Sequence, residues 1–547
     1  MSTRLADFTP VIDLTRMRNS GPVRHEHPVY VTLTPPCNAA CPAGEDIRGW
    51  LSLAQAGKDR AAWEHLVTQN PMPGVHGRVC YHPCESGCNR GAVDAAVSIH
   101  AVERFLGDRA NAEGWAFPPP VSRSGRRVLV VGAGPAGLSA AYHLARAGHE
   151  VEIREAGPVA GGMMHFGIPA YRLPRDELAR EVARIESLGV KITLNHKVTD
   201  LLAERQAGGF DAVFLAVGAG LGKRVDIPAR DAARVVDAVS LLHDTSAGRP
   251  PLLGRRVVVY GGGNTAMDAA RTAHRLGAAE TVIVYRRDRD HMPAHAFEAD
   301  EAIEEGIRIK WLSSIRDIQG RDLVVERMVL DAQGRPRPTG EFETLTADAV
   351  VLALGQQSDT GFLANVPGLR FAPDGTLQVG PDLRTGAPGI FAGGDMVLPS
   401  QQSVTISTGH GRQAARHIDA WLHGQQPVEP EAAPAIGFDM LHLPVFSDAD
   451  PCPQPRLTGA DRQSGFAEIV QGLTQAEARF EAQRCYSCGQ CYECDNCFAA
   501  CPEQAIRKLG PGLGYQVDLT RCTGCGACFD QCPCHAIEMI AEATDHG

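Results

Sequence analysis

Two runs of four cysteines near the end of the chain have a spacing suited to iron-sulfur clusters. Each run reads Cys-x2-Cys-x2-Cys-x3-Cys-Pro, in which three thiolates hold one four-iron cluster and the fourth reaches a second cluster. The two predicted ligand sets therefore cross between the runs: Cys491, Cys494, Cys497 with Cys532, and Cys522, Cys525, Cys528 with Cys501. Zinc is less favoured, because zinc sites usually present two separated cysteine pairs.

The chain has 17 cysteines, which are confined to its two ends. No secretion signal accompanies them, so metal ligation is a better interpretation than disulfide bonding. The tail cysteines outside the two runs are Cys452, Cys485, Cys488 and Cys534. Cys485 and Cys488 extend the regular step backward from Cys491, which leaves open a zinc site, another cluster or alternative ligation. Unreactive buried thiols are the default interpretation for all four.

The stretch RRVLVVGAGPAGLSAAYHLARAGHEVEIREA has the features of a dinucleotide-binding turn. An apolar strand enters a turn, an amphipathic helix follows, and a second strand ends at Glu155. The turn contains Gly132, Gly134, Ala136 and Gly137. The first glycine permits a tight turn, the second lets backbone approach a pyrophosphate, and the third lets helix and strand pack closely. The helix N-terminus then faces the phosphates, and Glu155 can accept hydrogen bonds from ribose hydroxyls.

A second stretch, RRVVVYGGGNTAMDAARTAHRLGAAETVIVYRR, repeats this arrangement. Gly261, Gly263 and Ala266 occupy its three glycine positions. The middle of the chain is therefore predicted to contain two related βαβ units, each able to bind a dinucleotide.

The two units differ at the end of their second strand. When Gly148 is aligned with Gly277 and two extra residues are allowed in the turn, Arg286 takes the position of Glu155. An acid there would repel a 2′-phosphate, whereas Arg286 and Arg287 can pair with it. The second site is therefore predicted to favour NADP(H) over NAD(H), with a solvated pair of surface arginines as the alternative.

Composition and linkers indicate several folded units around these motifs. The chain has 547 residues, 44% hydrophobic and 21% charged, which is typical of globular proteins. The proline-rich AFPPPVSRSG follows a cysteine-containing helical region, and a Pro-, Ala- and Asp-rich stretch begins after about residue 425. The formal charge of −11 argues against nucleic-acid binding. Because neither a targeting segment nor a membrane-length apolar run is present, we expect a cytoplasmic protein without membrane insertion.

From about residue 30 to 425 the chain resembles a family of iron-sulfur flavoproteins. The motifs that carry the resemblance are GAGPAG, AGGMMHFGIPAYRLP at 160–174, LAVGA at Gly218, GGGNTAMDAARTAHRLG, YRRDRDHMPA and AGGD. The family includes the small subunit of bacterial glutamate synthase, the amino-terminal half of dihydropyrimidine dehydrogenase and the large subunit of NADH-dependent ferredoxin:NADP oxidoreductase.

The resemblance implies two cofactor sites. FAD is expected at Gly132, Gly134, Ala136, Gly137, Glu155, Gly162, Gly394 and Asp395. In such flavoproteins the Gly-Gly-Asp segment closes the FAD site, with the aspartate on the ribityl chain. NADP(H) or NAD(H) is expected at Gly261, Gly263, Asn264, Thr265, Arg286 and Arg287. No residue is assigned a catalytic role.

The expected fold class is α/β, with two nested Rossmann-like domains between two iron-sulfur domains. The expected domains are a helical 4Fe-4S domain at 1–120, a discontinuous FAD domain at 121–245 and 385–425, an NAD(P) domain at 246–384, a linker at 426–480, and an α+β ferredoxin-like domain at 481–547.

The amino-terminal region contains Cys37-x3-Cys41 and Cys80-x3-Cys84-x3-Cys88. In the resembling family this region carries two 4Fe-4S clusters, whose ligands begin with a Cys-x-x-Cys pair upstream of the position of Cys37. This chain has VYVTLTPP there, so one cluster is expected to be lost. The resemblance implies that Cys41, Cys80, Cys84 and Glu103 hold the remaining one. Cys37 or Cys88 could replace the glutamate, because thiolate is the commoner ligand.

These parts together predict an electron-transfer oxidoreductase. A nicotinamide delivers two electrons at once and each cluster carries one, so a flavin is needed between them. The expected cofactors are FAD, NADP(H) or NAD(H), and about three 4Fe-4S clusters. Because no hydrolase triad, Walker loop or organic-substrate pocket is visible, the expected partners are catalytic subunits of a larger complex, with soluble ferredoxin as a further candidate. The direction of electron flow is open.

The tail also indicates a class of partner. CDNCFAACPEQAI and CTGCGACFDQCPCHAIEM resemble the ferredoxin-type subunit of 2-oxoacid:ferredoxin oxidoreductases. A 2-oxoacid oxidoreductase, for example one acting on 2-oxoglutarate, is therefore the leading partner, followed by a sulfite-reductase-linked system. A glutamate synthase small subunit is a rival that the ferredoxin tail and the missing ligand pair disfavour. A binding or assembly protein without turnover is the rival from another class.

Overall fold

The computed structural model describes residues 24–223, 229–230, 234–399, 402–427, 433–443 and 448–542. Their elements confirm the predicted α/β class, with helical and α+β parts at the two ends. Among these residues, no helix combines the length and apolarity needed to cross a bilayer.

The amino-terminal region is a small helical layer built on aromatic packing. Its elements are β1 (Glu26–Tyr30), α1 (Pro36–Ala40), α2 (Ile47–Gln55), α3 (Asp59–Leu66), α4 (Pro73–Val79), α5 (Pro83–Ser86) and α6 (Ile99–Glu113). Helices α1, α4 and α5 begin with a proline, whose fixed φ suits the first helical turn. Trp50, Trp63 and Leu66 are fully buried between α2, α3 and α6. This packing fixes the segments that carry the first five cysteines.

The first dinucleotide unit follows directly. Its elements are β2 (Arg127–Val131), α7 (Pro135–Arg146), β3 (Glu150–Arg154), α8 (Met163–Phe166), α9 (Arg175–Glu186), β4 (Lys191–Thr193), α10 (Leu201–Gly208) and β5 (Ala212–Leu215). The strands are parallel, and β2 lies between β3 and β5. Strand β2 is an apolar run buried on both faces, as expected for a central parallel strand.

The second unit forms its own sheet. The chain continues through β6 (Leu221–Gly222), β7 (Ala229–Arg230), β8 (Arg234–Asp237), α11 (Ala238–Ser246), β9 (Arg256–Tyr260), α12 (Asn264–Arg275), β10 (Glu280–Val284), α13 (Ala296–Glu304), β11 (Arg308–Lys310), β12 (Ser313–Gln319), β13 (Asp322–Leu330), β14 (Pro336–Thr346), β15 (Ala349–Leu352) and β16 (Gln356–Gln357). The parallel order is β11-β10-β9-β15-β8, while β14, β13, β12 and β7 form a separate sheet. Because β8 pairs with β15, the second sheet begins before the predicted boundary at 245/246.

The chain then returns to the first unit. Strand β17 (Ile390–Ala392) pairs with β5 and completes the parallel order β17-β5-β2-β3-β4. Helix α14 (Val404–Leu422) packs along α7, beneath the first glycine turn. Leu363 and Leu377 are buried against Leu129 of β2, so this core also takes in residues before the predicted boundary at 384/385.

The remaining segment wraps back over the amino-terminal region. Its elements are α15 (Gly459–Ser464), α16 (Gln475–Gln483), α17 (Asn496–Ala500), β18 (Ile506–Gly510), β19 (Gly514–Val517), α18 (Ala527–Asp530) and β20 (Ile537–Ala541). Helix α16 packs on α2 and α6, and β20 pairs with β1 in antiparallel register. Ile436, Ile469 and Leu473, all within the predicted linker, are buried. The two ends of the chain therefore form one joint structure.

Candidate flavin, nicotinamide and iron-sulfur sites

The first glycine turn leaves room for a ligand beside Gly134 but not beside Gly132 or Gly137. A Cβ on Gly132 would meet the Ala216 carbonyl oxygen at 2.4 Å, and one on Gly137 would meet the Gly132 carbonyl oxygen at 1.9 Å. A Cβ on Gly134 would meet no atom within 4 Å. The turn therefore closes tightly around an open approach at Gly134, which suits a pyrophosphate at the N-terminus of α7.

Glu155 is held at the same turn. Its carboxylate accepts hydrogen bonds from the Ala133 amide (2.7 Å) and the Gly157 amide (2.6 Å). The side chain is fixed at the end of β3, where a ribose bound over the turn would lie.

A cavity of about 510 Å³ lies between the two dinucleotide units. Its size is within the usual range for a ligand pocket. The predicted site residues that line it are Gly134, Ala136, Glu155, Gly162, Gly263, Asn264, Thr265, Gly394 and Asp395. The structure thus brings residues expected at FAD and residues expected at the nicotinamide dinucleotide to one space.

Asp395 closes one side of this cavity from the turn after β17. Burial raises the pKa of its carboxyl to about 6, and the Ser407 hydroxyl of α14 donates to it at 3.3 Å. The Gly394 amide donates to Nδ1 of His410 at 3.1 Å. A carboxylate with so few partners in the protein has free acceptor capacity for hydroxyl groups of a ligand.

The second glycine turn repeats the geometry of the first. A Cβ on Gly261 would meet the Ala353 carbonyl oxygen at 2.1 Å, whereas one on Gly263 would meet nothing within 4 Å. The Asn264 amide group donates to the Tyr81 hydroxyl at 2.7 Å and accepts from the His295 amide at 3.0 Å. The second unit is therefore shaped for a dinucleotide and is joined through Tyr81 to the amino-terminal region.

The strand register corrects the alignment that placed Arg286 opposite Glu155. The Gly132 amide donates to the Arg154 carbonyl, and the Gly261 amide donates to the Val284 carbonyl. The residue after Val284 is Tyr285, so Tyr285 is the structural counterpart of Glu155 and the turn is longer by one residue, not two.

Arg286 and Arg287 lie one and two residues beyond that position. Arg286 is exposed and Arg287 is half-buried. Nearby, Arg289 pairs with Asp300 and His291 with Asp288, but no carboxylate of the described residues pairs with Arg286 or Arg287. Both guanidinium groups keep their capacity for a phosphate.

A buried ionic cluster beside the cavity was not anticipated from the sequence. Arg172 pairs with Asp268 at 2.8 Å and with Glu298 at 2.5 Å. Arg172 and Asp268 line the cavity together with Tyr81, which stacks on His295 with ring centroids 3.8 Å apart. The sequence signal for this part of the cavity was that Tyr81 directly follows Cys80, a predicted cluster ligand.

The tail cysteines lie in two groups, each with three members of one run and one of the other. Burial raises the pKa of Cys497 to about 11, with contributions from the thiols of Cys491, Cys494 and Cys532. Burial likewise raises the pKa of Cys528 to about 12, with contributions from Cys522, Cys525 and Cys501. The geometry therefore suits a two-cluster ferredoxin, while the individual ligand roles remain predictions.

Cys534 lies beside the first of these sets. Its sulfur is 3.8 Å from that of Cys532, and both thiols are buried. The hydrogen bond between them raises the pKa of Cys534 and lowers that of Cys532 to about 7.

The amino-terminal set implied by the resemblance also comes together. Burial raises the pKa of Cys84, and Cys80, Cys41 and Glu103 contribute to the rise. Glu103 is 6% exposed, and its carboxylate accepts a hydrogen bond from Asn70 at 2.8 Å. A buried carboxylate beside three thiols has the donor chemistry of a cluster ligand set.

Cys37 and Cys88 were the alternatives to Glu103 in this set. The structure places both elsewhere, in a space that they share with Cys485 and Cys488. Glu103, which lies beside Cys80, therefore remains the proposed fourth ligand.

Comparison with known proteins agrees with this arrangement. Residues 126–416 match the model of the pyridine nucleotide-disulphide oxidoreductases, residues 31–115 that of dihydropyrimidine dehydrogenase domain II, 4Fe-4S cluster, and residues 490–536 that of the 4Fe-4S dicluster domain.

Several curated proteins are similar over most of the chain. The beta subunit of NADP(+)-dependent formate dehydrogenase from Moorella thermoacetica is 37% identical over 505 residues, covering 83% of this chain and 71% of that protein. The beta subunit of NADPH-Fe(3+) oxidoreductase from Geobacter sulfurreducens is 34% identical, with 83% and 75% coverage. The glutamate synthase NADPH small chain of Escherichia coli is 34% identical, with 71% and 89% coverage.

Two dinucleotide folds around one cavity, flanked by cysteine sets, define an NAD(P)-dependent iron-sulfur flavoprotein oxidoreductase. The chain belongs to the pyridine nucleotide-disulphide oxidoreductase family and, as the motifs predicted, to its branch with the glutamate synthase small chain. Its cofactors are FAD, a nicotinamide dinucleotide and 4Fe-4S clusters.

Proposed function

We propose that this chain is the NADP(H)-linked electron-transfer subunit of a larger oxidoreductase complex. The observation that carries the proposal is the position of Cys80. Its neighbours Val79 and Tyr81 both line the cavity between the dinucleotide units. Cys80, a proposed cluster ligand, is thus flanked in sequence by two residues that line the proposed flavin site. This arrangement shortens the electron path between the cluster and the flavin.

Flavin bound in the cavity supplies the conversion between paired and single electrons. The chain itself provides orientation and shielding. Gly134 and Gly263 present open backbone, Glu155 and Asp395 present carboxylates, and the N-terminus of α14 borders both the cavity and Cys80. These features support binding of the two dinucleotides with their reactive ends toward the amino-terminal cysteines.

The ferredoxin end is the proposed exit. Cys525 is exposed, whereas Cys497 of the other tail set is buried near Tyr30. Exposed apolar side chains also lie in this end, among them Phe498, Leu513 and Leu519. An exposed cluster edge with apolar surroundings suits transient docking of a redox partner.

We favour a 2-oxoacid oxidoreductase as the partner, because the two tail runs resemble its ferredoxin-type subunit. A formate dehydrogenase is a second candidate, because a relative of that description is similar over most of this chain. Affinity purification of the complex under anoxic conditions tests the choice. Co-purification of a thiamine-dependent subunit supports the first partner, and co-purification of a subunit that oxidises formate supports the second.

NADPH-dependent reduction of a viologen dye by the anaerobic protein tests the electron-transfer function itself. We expect bleaching of both flavin and cluster absorbance with NADPH. Flavin bleaching with no change at the clusters would contradict the proposal.

The nicotinamide preference is testable at Arg286 and Arg287. Replacing both with leucine should raise the KM for NADPH at least tenfold and leave that for NADH nearly unchanged, because a charge-assisted hydrogen bond contributes about 1.5–3 kcal/mol. Arg289→Leu is the matched control, since Arg289 already pairs with Asp300. Equal effects on both nucleotides would refute the assignment.

A further inference from the structure

Four cysteines outside the predicted sets meet in one place. Cys37 comes from α1 and Cys88 from the turn after α5, while Cys485 and Cys488 come from the turn after α16. The pKa of Cys37 is raised by burial and by the thiols of Cys485, Cys88 and Cys488, which therefore face it. Two ends of the chain thus supply two thiols each to a common space.

The backbone around Cys485 and Cys488 repeats that of the ferredoxin ligand loops. Both tail runs contain a Cys-x-x-Cys in which the residue before the second cysteine and the residue after it have positive φ. Three loops share this pattern, in the order of these two residues: Ser487 (55°) and Gly489 (74°), Glu493 (61°) and Asp495 (68°), Gly524 (72°) and Gly526 (79°). Ser487 and the two acidic residues adopt a conformation that favours glycine, so the shared loop shape has a conformational cost.

The same loops also share a hydrogen bond to sulfur. The Ser487 amide donates to the Cys485 sulfur at 3.4 Å, as the Gly524 amide donates to the Cys522 sulfur at 3.4 Å. The Asn89 side chain donates to the Cys488 sulfur at 3.5 Å. Donors directed at sulfur are the outer-shell contacts that tune iron-sulfur ligands.

The space between the four cysteines resembles that at a predicted ferredoxin cluster. The cavity among Cys501, Cys522, Cys525 and Cys528 has a volume of about 10 Å³. The cavity among Cys37, Cys88, Cys485 and Cys488 has a volume of about 20 Å³. Leu51, Val97 and Ile99 add apolar walls to it.

The sulfur positions do not match those of a tetrahedral zinc site. Zinc with Zn–S bonds of about 2.3 Å in a tetrahedron holds its sulfurs about 3.8 Å apart. Among the described residues, the groups of three or more ligand atoms within 4.8 Å of one another are His82 with Glu85 and His100, and Glu45 with His76 and Glu103. So tight a group is formed neither by Cys37, Cys88, Cys485 and Cys488 nor by either predicted ferredoxin set.

We propose that Cys37, Cys88, Cys485 and Cys488 bind an additional 4Fe-4S cluster, which we call the composite cluster. The tail pair Cys485-x-x-Cys488 takes the place of the pair missing upstream of Cys37. The resulting total is four clusters in the chain, one more than the sequence predicted.

The composite cluster lies between the other sites. Cys37 lies in α1, and Cys41 directly follows that helix, four residues further along the chain. Cys488 is three residues from Cys491, a ligand of the first predicted ferredoxin set. The site therefore bridges the amino-terminal cluster and the tail. This bridging role rests on the proposed electron-transfer function, whereas the existence of the site does not depend on that function.

Iron, sulfide and zinc analysis of the anaerobically purified full chain tests the proposal directly. We expect about sixteen irons per FAD in the native protein and about twelve in the double variant Cys485→Ala/Cys488→Ala. Cys452→Ser is the matched control, because Cys452 lies outside all the sets, and it should keep about sixteen.

Each other outcome overturns the proposal. About twelve irons in the native protein, with or without one zinc, means that no fourth cluster binds there. About sixteen irons in the double variant means that other residues hold it. FAD content near one per chain shows that the variant is folded. If the double variant does not fold, the iron count of the native protein and a second variant, Asn89→Leu, decide the question. The proposal then requires that Asn89→Leu shifts the midpoint potential of one cluster signal and leaves the iron content unchanged.

These measurements do not depend on NADPH turnover. A native protein with sixteen irons that does not accept electrons from NADPH would refute the proposed function and leave the composite cluster intact. A protein with twelve irons that accepts electrons from NADPH would refute the composite cluster and leave the proposed function intact.

Discussion

The two iron-sulfur ends of this chain assemble their ligands in different ways. In the tail, the eight predicted ligands lie within residues 491–532, and each run supplies three cysteines to one cluster and one to the other. In the amino-terminal region, the proposed sites draw on residues 37–41, 80–103 and 485–488. A local ligand run can therefore be identified from its spacing, whereas a site built from distant segments needs the folded chain.

The two ends are also physically joined. Strand β1 pairs with β20, the Arg48 guanidinium donates to the Cys491 carbonyl at 2.6 Å, and the Gln55 amide donates to the Ala482 carbonyl at 2.7 Å. The tail is thus packed on the amino-terminal region rather than tethered beside it, and shortening it should affect both ends.

The largest expected effect comes from two truncations that separate the ends. A chain ending after Gly489 should lose about eight irons, those of the two tail clusters, while one ending after Thr474 should lose about twelve. The difference arises because the second truncation also removes α16, Cys485 and Cys488. Iron and FAD per chain, measured after anaerobic purification, check this.

Both truncated chains should keep about one FAD, since the residues lining the flavin cavity end at Ser407. Equal iron losses from the two truncations would mean that the ends do not share ligands.

A smaller effect should appear when the native protein is exposed to air. About four irons should be lost well before the rest, because Cys525 is exposed whereas Cys37, Cys84 and Cys497 are buried. Iron retained on the protein over time, after removal of released metal, gives the two phases.

The rapid phase of iron loss should be absent from Cys525→Ser, because this variant lacks the most accessible cluster ligand. Uniform loss of all iron would show that exposure does not distinguish the two ends.

The smallest expected effect is at Tyr30 of β1, whose hydroxyl lies 3.2 Å from the Cys497 sulfur. In Tyr30→Phe the iron content should be unchanged, and the midpoint potential of one tail cluster should fall, because hydrogen bonds to sulfur stabilise the reduced cluster. Redox titration followed by electron paramagnetic resonance measures the shift.

Tyr515→Phe is the control, because Tyr515 stacks on Tyr30 but directs its hydroxyl to Asp495. Similar shifts of the midpoint potential in both variants would point to aromatic packing rather than to the contact between the Tyr30 hydroxyl and the Cys497 sulfur.

Much of the dinucleotide body was predictable, because its signals are local. Gly137 is fixed by contacts within one strand-turn-helix unit, and the motif spacing reveals it together with Gly132. The position of Arg286 was misjudged by one residue, because turn length is not encoded in a spacing pattern and was settled by pairing of β10 with β9. The buried Arg172, Asp268 and Glu298 cluster was also missed, since its members come from separate segments.

Local motifs specify the cofactor classes, since glycine turns and cysteine runs act over a few residues, where chain connectivity dictates geometry. Only the folded chain groups Cys37 and Cys88 with Cys485 and Cys488. Burial of apolar surface draws α16 onto α2 and α6, and that force is non-directional, so no spacing in the sequence specifies which distant cysteines it brings together.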